Sequence, residues 1–158
     1  MKNFQSLFLI IGLGLIAGEA SGADIATCSN PSGHAYYAHR APIQKDKSGW
    51  IEDAITGGIT TISKVSKGKY DILFVDAGKS IRSARAEGGT VIGVRRSSED
   101  AIFVVMYDEG TVETYHLLRD DQGKNIYLSF LDRGAEGMLA KASLMVGTCS
   151  AIDFDSID

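Results

Sequence analysis

The chain has 158 residues, 44% of them hydrophobic and 23% charged, ordinary globular values that exclude disorder, collagen-like repeats and coiled coil. Its formal net charge of −4 supplies no drive toward phosphate backbones or anionic lipid, which argues against a nucleic-acid partner.

The first 23 residues read as an export leader. Lys2 precedes the apolar run Leu7 to Ala17, and the small residues Ala20, Ser21, Gly22 and Ala23 follow. The run is well short of the roughly 20 residues that a membrane span needs. Cleavage after Gly22 or Ala23 is expected to leave a mature chain of about 135 residues, periplasmic or secreted and not stably inserted in a membrane. A lipidated Cys28 is the alternative, but Thr27 precedes that cysteine, and Glu19 and Asp24 separate it from the apolar run.

Two cysteines remain, Cys28 and Cys149. In an oxidising compartment an even count is most simply a disulfide, and this pair would close a loop of about 120 residues, worth about 4 to 5 kcal/mol in loop-closure entropy. Residues 24–58 resist assignment. Residues 28–48 are expected to form a loop pinned by the disulfide, and Ser48, Trp50, Ala54 and Ile55 fit a short helix near 49–56.

From residue 59 onward no proline interrupts the chain, and turn signals recur about every 10 to 13 residues, the interval of hairpins. Strands are expected near 59–65, 70–75, 80–85, 90–96, 101–107, 111–118, 124–131 and 138–146, where β-branched and aromatic residues concentrate. The run Ala101 to Tyr107 is apolar throughout, which predicts a central strand covered on both faces. The expected fold is all-β: an antiparallel meander of about eight strands over 59–149, closing into a small barrel or a two-sheet sandwich, since either shields the edges. Asp153 to Asp158 is expected to fray as part of an acidic tail, residues 150–158. An outer-membrane barrel is disfavoured by short segments and by Lys64, Arg82, Lys124 and Lys141, which sit within or beside strands and leave no evident lipid-facing band.

No motif declares a chemistry. The chain has no G-x-S-x-G elbow, its three histidines (His34, His39, His116) lack metal-ligand spacing, and Ala77-Gly78-Lys79-Ser80 lacks the first glycine of a phosphate loop, Leu73 standing in its place. Neither a metal nor another cofactor is expected. The adjacent carboxylates Glu99-Asp100 and Asp120-Asp121 suit turn chemistry better than acid–base catalysis. Two groups remain as candidate ligand or partner contacts. Arg82, Arg85, Arg95 and Arg96 flank the Glu87-Gly88-Gly89 turn and, on paired strands, would make a basic patch for a carboxylate or an acidic surface. Tyr107, Tyr115 and Tyr127 fall on three successive strands as packing or a binding platform. These features favour a non-catalytic, exported β-barrel-like binding protein, monomeric or weakly oligomeric, with a cavity lined by residues such as Phe103, Leu128 and Phe130. A protein inhibitor or immunity-type partner of a secreted enzyme, and a small histidine-dependent hydrolase, are the alternatives.

Overall fold

The computed structural model describes residues 22–75, 79–134 and 139–158. The leader up to residue 21 and the Asp76-Ala77-Gly78 turn lie outside them. One antiparallel sheet contains β1 (Ala23–Tyr37), β2 (Gly49–Ala54), β3 (Ile59–Ser66), β4 (Lys69–Val75), β5 (Ile81–Ser83), β6 (Thr90–Ser97), β7 (Asp100–Met106), β8 (Val112–Arg119), β9 (Asn125–Arg133) and β10 (Lys141–Ile152). The strand order is β5-β4-β3-β1-β10-β9-β8-β7-β6, with β2 also paired to β1, and the sheet curls into a half-barrel. No described helix is long and apolar enough to cross a membrane.

All eight expected strands are present, seven of them within two or three residues; the last, expected over 138–146, is described from Lys141 and runs on to Ile152, into the segment expected as tail, and the N-terminal segment adds two more strands. Residues 28–37, expected as loop, belong to β1, and the expected helix near 49–56 is instead β2. The reason is long-range pairing: β1 runs antiparallel to β10 along one edge, while its first half pairs with β3 and its second with β2 along the other. The change of partner occurs at a bulge between Ser29 and Ser32. There Asn30 adopts a left-handed φ of 51°, its amide bonds the Gly58 carbonyl at 3.1 Å, and Pro31 follows without an N–H to donate. Cys28 and Cys149 are register partners across the β1–β10 seam and form the disulfide. The bond therefore joins the hairpin group β3–β5 to the meander β6–β9.

The core occupies the concave side of β6–β8, closed over by β3, β4 and the C-terminus. Ile62, Ile72, Phe103, Val105 and Leu117 are completely buried. The Tyr70 and Phe103 rings meet edge to face, 5.2 Å between centroids, over Gly93 of β6. A methyl group at Gly93 would stand 2.7 Å from the Phe103 ring and 2.8 Å from the Tyr70 ring, so the missing side chain is what lets β4 approach β6. The C-terminus does not fray. Phe154–Ser156 form a 3-10 turn capped by the Asp153 carboxylate, Phe154 and Ile157 are buried, and Asp158 accepts from Lys64 Nζ at 2.8 Å and from the Gly68 amide at 2.6 Å. Two buried apolar side chains in six residues outweigh the tail's charge.

The strand β7 departs from expectation. Ala101, Phe103 and Val105 are fully buried, but Ile102 and Val104 are only half-buried, Met106 is exposed, and the strand lies next to the sheet's β6 edge rather than at its centre. Its apolar run reflects a convex face that is itself apolar. Ile92, Val104, Thr114, Phe130 and Leu144 line up strand to strand, and Val94, Ile102, His116, Leu128 and Val146 form the next row. The charges noted in the sequence thus leave an apolar band on the outer face of β6–β10, where Ile92, Val94, Phe130, Leu144 and Val146 are all exposed.

Candidate functional site

Where β1 exchanges β3 for β2, the concave face of β9 and β10 is left uncovered, and a cleft of about 600 Å³ opens over it. Pro31 and the Ile55–Gly58 turn form one wall, the ends of β3 and β4 another, and the inward side chains of β8, β9 and β10 the floor. Two-residue alternation decides which side chains reach that floor. Glu113 and Tyr115 come from β8, Tyr127, Ser129, Leu131 and Arg133 from β9, and Lys141, Ser143 and Met145 from β10.

Glu113 is the electrostatic centre of the floor. Its Oε2 accepts from the Tyr115 hydroxyl at 2.8 Å and from the Tyr107 hydroxyl at 3.5 Å. Burial raises the carboxyl above the usual glutamate range, offset in part by the two phenols and by the Arg133 charge. The same burial, with the Glu113 charge beside them, pushes both phenols upward, so they remain donors at neutral pH. No described residue donates to Oε1 of Glu113. On β10, paired in register with Arg133, Lys141 has its Nζ 2.6 Å from Asp53 Oδ2 and 5.1 Å from the centre of the Tyr37 ring. Burial disfavours the lysine charge, but the contacts with Asp53 and Tyr37 outweigh it and leave the lysine above its usual range. Tyr127 is 1% exposed, and its hydroxyl, beside Thr60, makes no hydrogen bond of standard geometry. Its ring fills the space over Gly147, where a methyl group would stand 2.2 Å from Cε1.

The sequence candidates divide accordingly. The three tyrosines share the concave side: Tyr115 and Tyr127 line the cleft, and Tyr107 sits behind Glu113. The four arginines do not share a hairpin, because β5 pairs with β4 while β6 pairs with β7, and the two strands lie at opposite ends of the sheet order. Arg82 pairs with Glu87, Arg95 bonds Asp155 at 2.7 Å, Arg96 lies 3.7 Å from Asp100, and Arg85 borders a separate groove beside Gly89. Asp71 enforces this crossover: its carboxylate accepts from the Ser83 hydroxyl at 2.7 Å and from the Arg85 amide at 3.2 Å, bending the chain away after β5. Phe103 belongs to the solid core and Leu128 lies on the convex row, so neither lines a hollow; Phe130 does border the cleft, although alternation turns its exposed ring toward the convex side. His34 and His116 lie on the convex rows of β1 and β8, with β10 and β9 between those strands. His116 Nε2 is 2.8 Å from Asp100 Oδ1.

Glu113 and Arg133 were not singled out by sequence. The available signal was the placement of Glu113 two residues from Tyr115 and four from Leu117, on the apolar face of its strand, where a charge needs a reason. Comparison with known proteins adds no relative: no family model matches the chain, and no curated protein or solved structure matches it.

Proposed function

We propose that the protein is an exported, non-catalytic binding module whose ligand occupies the concave cleft. One observation carries this reading. An open, largely apolar cleft of about 600 Å³, within the range of small-molecule sites, converges on a half-buried glutamate with one oxygen unused by any described residue. Neither histidine nor cysteine lines the cleft among the described residues, which supports binding over nucleophilic or histidine-dependent chemistry. The disulfide fits an oxidising compartment.

The test is fluorescence titration with the neutral dye N-phenyl-1-naphthylamine. Saturable binding is expected in the wild type, with a loss of at least about tenfold in Ser143→Trp, which fills the cleft from a partly exposed position on β10. A second reading, a partner-binding module, draws on the apolar convex rows. Under it the dye would respond to Val94→Asp on β6 and ignore Ser143→Trp, which would refute the cleft as the binding site.

A further inference from the structure

The charges of the cleft specify a ligand class. Among the described residues, four charged side chains line it, Asp53 and Glu113 against Arg133 and Lys141, and their formal charges cancel. Asp53 and Lys141 satisfy one another at 2.6 Å. That leaves Glu113, with Oε1 open, and Arg133, which forms no ion pair with a described residue. A purely anionic ligand would meet Glu113, and a purely cationic one would meet Arg133. A ligand carrying both charges close together answers both groups.

The register sets the spacing between them. Glu113 pairs with Leu131, and Arg133 lies two residues further along the same face of β9. Such diagonal neighbours stand about 7 to 8 Å apart at the backbone. Their carboxylate and guanidinium can therefore bracket a head group whose ammonium and carboxylate share one carbon. The remaining volume is bounded by Ile55, Ile59, Phe74, Val75 and Met145, which suit an apolar side chain. Resting on the cleft as the binding site, we propose that the ligand is a zwitterion with an apolar side chain, namely an apolar α-amino acid, held with its ammonium on Glu113 and its carboxylate on Arg133. The two phenols on Oε2 keep the glutamate oriented and leave Oε1 for the ammonium.

The test is calorimetric titration of the full chain with L-phenylalanine, L-leucine and L-methionine, and with two single-charge analogues of phenylalanine: phenethylamine, which lacks the carboxylate, and 3-phenylpropanoate, which lacks the ammonium. At least one of the amino acids is expected to bind, and phenylalanine at least about tenfold more tightly than either analogue, the order of one charge-assisted contact. Glu113→Gln should erase the preference for phenylalanine over 3-phenylpropanoate while keeping that over phenethylamine, and Arg133→Gln should do the reverse. A merely structural role for either residue would weaken all ligands alike. If an analogue binds as tightly as phenylalanine, or if no amino acid binds while the dye still reports the cleft, the zwitterion assignment is overturned and the binding-module reading stands. If Ser143→Trp leaves the dye unaffected, the binding-module reading itself falls.

Discussion

Reduction of the Cys28–Cys149 bond is the sharpest test of how the two halves of the sheet are held. The cysteines are 121 positions apart. Loop-closure entropy for that separation comes to about 16 cal/mol/K, or about 4.9 kcal/mol at 25 °C, and measured disulfides commonly yield 2 to 4 kcal/mol. Much of this is a large share of the 5 to 15 kcal/mol typical of a domain. Reduction leaves both sulfurs in place, so it avoids the added burial cost of serine at sites only 1% and 8% exposed. Urea unfolding followed by far-ultraviolet circular dichroism, with and without a phosphine reductant, should show the midpoint falling by roughly 1 to 2.5 M, taking a slope of about 2 kcal/mol/M. The slope itself should rise, because the unfolded ensemble of an unlinked chain is more expanded. An unchanged midpoint with an unchanged slope would refute the reasoning, since it would mean that joining the first and last strands of the chain places no constraint on the unfolded chain.

Three further outcomes are expected. Gly93→Ala should cost about 1 to 3 kcal/mol by forcing the Tyr70 and Phe103 rings apart, measured as a lowered urea midpoint, and a neutral result would mean that β4 and β6 do not meet there. For Glu113 the folded-state value is raised by burial, so its favourable share is complete below the unfolded value, about 4.3, and is lost as pH rises through the folded value. Glu113→Gln should therefore melt higher than wild type at pH 7 and converge with it near pH 3, and a variant less stable at neutral pH would contradict the assignment. Asp158 has the opposite sign: hydrogen bonds from Lys64 and from the Gly68 amide lower it, so its contribution is present above the unfolded value, about 3.9, and lost as pH falls through the folded value. Exchange protection of the Gly68 amide should fall in that acid range in wild type and be weak at every pH in Asp158→Asn.

The meander was legible because each strand from 59 onward carries a local record of itself. Alternation along Ile126 to Phe130 and turn residues at Asp120–Gly123 state where a strand runs and where it reverses, and the Asp120 carboxylate does accept from the Gln122 and Lys124 amides. Cysteine arithmetic likewise identified the one covalent link between distant positions, since only two cysteines exist to pair.

What the sequence alone determined is therefore the all-β class, the positions of the strands from residue 59 onward and the disulfide. Only the tertiary structure decided that residues 28–37 and 49–54 are strands, because their partners, β10 and β3, lie far along the chain or, for β2, become available only after β1 bends at Asn30 and Pro31. It alone decided that β5 and β6 part company, dissolving the arginine hairpin, and that the tail docks. The cleft belongs to the same category. Glu113, Arg133 and Lys141 stand on separate strands, and their meeting depends on register and on the curl of the sheet, to which short-range periodicity is blind.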